Sequence, residues 1–152
     1  MGRRVDRLAV EGGELMKKAI MAAIAGAILI GSPAYADYDN DLWYLSRVIQ
    51  AESGYCSQEM QEGVGSVVLN RVASDRFPNS IPEVIEQPGQ YSTAAYLASQ
   101  EPTQEAINVA VDLLENGSKF PEDVVWQANF VQGSYIYKSL STSYSVMYFC
   151  GG

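Results

Sequence analysis

No histidine occurs anywhere in the 152 residues. That absence removes His-dependent nucleophilic triads and His-ligated zinc from consideration. Only two cysteines are present, Cys56 and Cys150. Two are too few to build a zinc site alone, and a cysteine protease would lack its usual base. There is no glycine-rich phosphate loop. Basic residues are also scarce, ten against eighteen acidic, for a net charge of −8. Arg3, Arg4, Arg7, Lys17 and Lys18, with Asp6, Glu11 and Glu14, all precede Asp37. From Asp37 onward five basic residues therefore face fifteen acidic ones, a net charge of −10. So acidic a surface disfavours nucleic acid and anionic membranes as partners. What remains for catalysis is carboxylate chemistry, supported by Tyr, Ser, Gln and Asn.

Long apolar runs are limited to one. Met16-Lys17-Lys18 is followed by an apolar stretch from Ala19 to Ile30 and then by Gly31-Ser32-Pro33-Ala34-Tyr35-Ala36. A basic start, a short apolar core and a small-x-small ending read as a secretory signal peptide, cleaved after Ala36. The run is too short for a stable membrane anchor. Residues 1–15 fit poorly in front of such a signal, and Met16 is the better initiator. The expected organisation is therefore 1–15 as a mis-assigned start, 16–36 as signal peptide and 37–152 as one mature domain, secreted and monomeric. In an exported domain an even cysteine pair invites a disulfide, Cys56–Cys150; the alternative is two free buried thiols.

From Asp37 the chain reads helices first and strands last. Asp37-Tyr38-Asp39-Asn40-Asp41 starts like a calcium loop but lacks the glycine and the distal Glu of an EF-hand. N-capping by Asn40 or Asp41 is the better account, and no metal site is expected. A first helix follows over about Leu42 to Glu52. Ser57 caps a second, which carries Met60, Val64, Val67, Val68 and Val72 on one side and reaches about Ala73. Gly63 and Gly65 inside it make sense if something approaches closely there. Ser80-Ile81-Pro82-Glu83 has capping-box form, and Pro88-Gly89 makes a tight turn. Residues 96–100 show no period and read as coil. Thr103 caps an amphipathic helix ending at Asn116-Gly117. Val124–Phe130, Tyr135–Tyr137 and Tyr144–Phe149 read as strands, the last two forming a hairpin across 139–143. The fold class is α+β, helices followed by a small antiparallel sheet.

One acid stands out. Leu42, Leu45, Val48 and Ile49 share one helical stripe, and Glu52 continues it just before Ser53-Gly54. A poorly solvated carboxyl holds its proton nearer neutrality, which suits a general acid. The competing reading is a fraying last turn with Glu52 in water. Glycoside cleavage is the reaction that carboxylates alone commonly serve, usually in pairs. Glu59 and Glu62 sit at polar helix positions and read as solvated. A single carboxylate suffices when the substrate supplies its own nucleophile.

The blocks Ala51-Glu52, Val67-Val68-Leu69-Asn70-Arg71-Val72, Phe77-Pro78-Asn79-Ser80-Ile81, Val84-Ile85 and Gln87-Pro88-Gly89-Gln90-Tyr91-Ser92 resemble the SleB/CwlJ-type, spore-cortex-lytic cell-wall hydrolases. Tyr148-Phe149-Cys150 is similar to that family's ending. The resemblance implies a small lysozyme- or transglycosylase-like domain, without cofactor, acting on peptidoglycan glycan strands. It implies Glu52 as catalytic acid and base, with Gln90, Tyr91 and Ser92 lining the glycan groove. Trp126 and Gln127 fall where relatives place sugar contacts, although core packing would also explain Trp126. The expected reaction is lytic transglycosylation, in which the 6-hydroxyl of N-acetylmuramic acid attacks to form a 1,6-anhydro ring. Alternatives are a muramidase or N-acetylglucosaminidase using water, or a non-catalytic peptidoglycan-binding protein. One departure bears on this. Many relatives carry a second Glu four residues after the first, and here that position is Cys56. A subgroup pairs this cysteine with the terminal one.

Overall fold

The structure is a computed structural model that describes residues 32–91 and 94–152. Five helices precede three strands: α1 (Ser32–Ser53), α2 (Gln58–Ala73), α3 (Ile81–Ile85), α4 (Ala94–Ala98), α5 (Gln104–Asn116), β1 (Val124–Ala128), β2 (Tyr135–Ser141) and β3 (Val146–Gly151). One compact unit covers Asp39–Gly152, and the chain before it, Met1–Tyr38, forms a separate unit. The expected mis-assigned start and most of the expected signal peptide lie outside the described residues. No helix among the described residues is long and apolar enough to cross a membrane.

Helix α1 begins ten residues earlier than the sequence suggested, so Asn40 and Asp41 lie inside it rather than capping it. Nothing from Ala34 to Leu42 breaks a helix, and Pro33 falls in the first turn, where its missing N–H costs no hydrogen bond. Helix α2 starts where expected, with the Ser57 hydroxyl accepting from Met60 N at 3.3 Å. It is buried on nearly every side because it separates two apolar clusters. Val64 and Val68 join Leu45, Val48, Ile49, Ile85, Leu97, Ala110 and Leu113 in the larger one. Met60 and Val67 join Phe120, Val124 and Phe149 in the smaller. A glycine serves each face. A Cβ at Gly65 would lie 2.3 Å from Leu113 Cδ1 and 3.0 Å from Ile49 Cδ1, and one at Gly63 would lie 2.7 Å from Phe149 Cζ. Side chains, not a ligand, account for both.

In α3, Ser80 Oγ donates to Glu83 Oε2 at 2.8 Å rather than capping the backbone. Of residues 96–100, expected as coil, Tyr96–Ala98 belong to the short helix α4. It is held by Leu97, fully buried in the larger cluster, a tertiary contact that local periodicity cannot reveal. Helix α5 is bounded as expected, with Thr103 Oγ1 accepting from Ala106 N and Gly117 at φ 85° donating its N–H to Leu113 O at 2.8 Å. The sheet is antiparallel with order β1-β3-β2, and β2–β3 is the expected hairpin, closed by Thr142 N to Ser145 O at 2.7 Å.

The structure does not show the expected Cys56–Cys150 disulfide: both cysteines are free. Cys56 packs against the smaller cluster, which contains Phe149. Neighbouring residues on a strand point to opposite faces, so Cys150, next to Phe149 on β3, is directed away from that cluster. The two thiols therefore do not share a face of the sheet.

Candidate active site

Glu52 is the penultimate residue of α1, and the geometry of the helix end places it. Ser53 Oγ donates back to Ile49 O at 2.9 Å, and Gly54 N donates to Gln50 O at 2.9 Å. At Gly54 a Cβ would lie 2.6 Å from Gln50 O, so only glycine lets the chain turn off so sharply. The Gln50 side chain then accepts from Thr103 N at 3.0 Å, which ties the end of α1 to the start of α5. Leu45, Val48 and Ile49, fully buried on its stripe, anchor the helix face that carries Glu52. It is half-buried, and that burial raises its pKa above the ordinary carboxylate value.

A cleft of about 370 Å³ opens over Glu52. Its second wall comes from the turn after α3. Gln90 N donates to Gln87 O at 3.2 Å and Gly89 has φ 76°, the pattern of a type II turn with Pro88 and Gly89 in the centre. This turn brings Gln90 and Tyr91 to the cleft. The third wall is β1. Because β1 is an edge strand, the cleft runs along it and meets Trp126, Gln127 and Ala128 in succession. Asn129, Phe130, Gln132 and Met147 complete the lining, with Phe130 58% exposed.

Arg71 holds these walls together. Although a cation, it is buried in the last turn of α2, with Nε donating to Val125 O at 2.8 Å and Nη1 to Gln90 Oε1 at 2.9 Å. Its guanidinium lies 5.1 Å from the Phe77 ring, 5.3 Å from Tyr91 and 5.7 Å from Trp126. The neighbouring Asn70 fixes the start of β1 by donating to Pro121 O at 2.7 Å and Val124 O at 2.9 Å. Strand β1 and the 87–91 turn are thus both referred to one helix end. The Tyr91 ring stays partly exposed while its hydroxyl is sealed from solvent. Burial pushes that phenol up to about 12, with Arg71 pulling down and Glu52 pushing up.

The structure therefore gathers Glu52, Gln90, Tyr91, Trp126 and Gln127 around one cleft, whereas Ser92 lies outside the described residues. Glu52 is the sole acid among the described lining residues. Glu59 is instead paired with Lys138 at 2.5 Å, and Glu62 borders a separate groove between α2 and α5. Cys56, at the position of the relatives' second Glu, does not border the cleft. No cluster of acidic or cysteine residues suited to a metal occurs among the described residues. Sequence reasoning gave Arg71 no role. The signal was present, because residue 71 lies four past Val67 on α2's buried side, a charge in an apolar stripe as at Glu52. Phe130 carried no comparable sign.

A sequence profile of the cell wall hydrolase family matches residues 56–147, beginning just after Glu52. No curated protein matches significantly. Among solved structures, the chain is similar to the catalytic domain of the germination-specific lytic transglycosylase SleB from Bacillus anthracis. The TM-score is 0.55 at 20% identity, covering 73% of this chain and 94% of that one. It is also similar to the catalytic domain of the Bacillus cereus SleB protein, with a TM-score of 0.53 at 18% identity, covering 74% and 91%. The α+β architecture of helices followed by a three-stranded antiparallel sheet thus shares the fold of the SleB catalytic domains.

Proposed function

The chain belongs to the cell wall hydrolase family, and from that premise we propose that it is an exported lytic transglycosylase that cleaves the glycan strands of peptidoglycan. The observation that carries this reading is a glycan-sized cleft with a single half-buried carboxyl, Glu52, among its described lining residues. Retaining and inverting glycosidases ordinarily need two carboxyls across the scissile bond. With one, the substrate must provide the nucleophile, and the 6-hydroxyl of N-acetylmuramic acid does so.

Glu52, whose protonated form burial favours, gives its proton to the glycosidic oxygen as the bond breaks. The resulting carboxylate takes the proton of the 6-hydroxyl as that oxygen attacks the anomeric carbon. A 1,6-anhydro ring forms and Glu52 returns to its starting state. Gln90 and Gln127 offer hydrogen bonds to the glycan, beside the partly exposed ring of Tyr91. Trp126 and Phe130 offer faces on which sugar rings rest, their apolar C–H surfaces displacing water. Delivery to the wall is by the signal peptide cleaved after Ala36.

Digestion of purified peptidoglycan followed by mass spectrometry tests the reading. Anhydro-muropeptides are expected, and Glu52→Gln should reduce their release at least a hundredfold with the fold intact. Products with reducing ends would mean hydrolysis by water instead, and binding without any release would mean a non-catalytic glycan-binding protein.

A further inference from the structure

We propose that Gln90 sets the specificity of the cleft: its side-chain N–H donors read the carbonyl oxygen of a 2-acetamido group on the glycan and turn away strands whose 2-amine is free. This rests on the reading of the cleft as a glycan-cleaving site, and it names the sugar group that the site distinguishes.

The two ends of a glutamine amide have nearly the same shape, and here the neighbour decides which is which. Gln90 Oε1 lies 2.9 Å from Arg71 Nη1. A guanidinium has donors and no acceptor, so the end that meets it must be the oxygen. Arg71 is itself held in place. It is 3% exposed, its Nε donates to Val125 O at 2.8 Å, and it packs among the rings of Phe77, Tyr91 and Trp126. Gln90 is an exposed residue on the cleft wall, and what it has left to offer is its N–H donors, which have no partner among the described residues. Gln127, on β1, carries no such tie, since its Oε1 has no hydrogen-bond partner.

The charge beside these donors has the same preference. Arg71 pairs with no carboxylate among the described residues, and its hydrogen bonds go to two neutral carbonyl oxygens. A buried guanidinium met only by dipoles leaves a positive potential on this side of the cleft. A carbonyl oxygen suits both the donors and the potential, and a 2-acetamido group supplies one. Loss of the acetyl group leaves an ammonium, which has donors only and carries the wrong sign. Set against Gln90, it would leave donors on both sides without an acceptor, the mismatch on which polar sites discriminate most strongly. Sugar hydroxyls, which donate and accept, would be met equally on either strand.

The test uses Glu52→Gln protein, which reads binding without turnover and removes the one carboxyl among the described lining residues. Purified glycan strands are compared before and after de-N-acetylation, in mildly acidic buffer where the free amine is charged. The N-acetylated strands should bind about tenfold more tightly, the scale of one hydrogen bond made against one donor left unmatched. Two substitutions are then added separately. Gln90→Glu keeps an oxygen for Arg71 but removes the donors, and Gln90→Met removes the donors without adding charge. Each should shrink the preference severalfold. Absence of the preference at the start would overturn the proposal. So would a preference that survives either substitution, including equal weakening towards both strands, as a merely structural role of Gln90 would give. If the preference is found and moves as expected, yet protein with Glu52 intact cleaves no glycan, the proposed function fails and the role of Gln90 stands.

Discussion

Replacing Glu52 by Gln should make the protein more stable at neutral pH while removing its activity. Burial raises the Glu52 pKa above its reference value of 4.5, with desolvation as the cause. The folded state thus binds this proton more tightly than the unfolded chain. Linkage then fixes the sign: the stabilisation is complete below the unfolded pKa and is lost as pH rises through the folded value. At pH 7 the unfolded chain therefore gains more from ionising this carboxyl than the folded protein does, a cost to stability that a neutral Gln of nearly the same shape does not carry. Each unit of upward shift corresponds to about 1.4 kcal/mol, before a reduction because Glu52 is only half-buried. For a domain of this size, 1 kcal/mol moves the melting temperature by roughly 4 °C or more. Calorimetry at pH 7 should find the variant melting a few degrees above the parent. Below about pH 4 the two should converge, because both then carry a neutral group at this position. A variant that melts lower at pH 7, or a difference that does not change with pH, would refute the burial argument and with it the reason for treating Glu52 as an acid.

Gly65→Ala sets a gain in helix propensity of about 1 kcal/mol against overpacking of about 1–3 kcal/mol, since the new Cβ would press on Leu113 and Ile49. A net loss of about 1 kcal/mol in urea unfolding is expected, and a net gain would mean that α1, α2 and α5 meet less tightly than described. Thiol titration of the denatured, unreduced protein should count two free thiols, with reductant leaving the melting temperature unchanged. A count of zero would restore the Cys56–Cys150 bridge.

Much of the architecture was legible because its causes are local. Ser57 and Thr103 cap helices with their own hydroxyls, Gly117 ends one at positive φ, and Pro88-Gly89 forces a turn whatever surrounds it. These features act over three or four residues, the range in which sequence pattern and backbone energetics coincide. The upstream start of α1 and the short α4 were missed for opposite reasons. The first lacked a breaker where a cap was expected, and the second depends on Leu97 finding a distant core. Strand alternation decides which way Cys150 faces, and cysteine count and cellular destination do not encode it.

For the site, sequence alone determined which chemistry is available. Without histidine and with few cysteines, carboxylates are left, and the stripe Leu45, Val48, Ile49 singles out Glu52 as the candidate acid. Only the tertiary structure decided that Glu52 faces Tyr91 and Trp126 across a cleft, that Glu59 and Glu62 do not border it, and that Arg71 joins its walls. The physical reason is range. A pKa or a cap responds to neighbours that helical spacing predicts, whereas a cleft forms where α1, the 87–91 turn and β1 converge. That convergence is set by a buried guanidinium reaching residues 19 and 54 positions away in the chain.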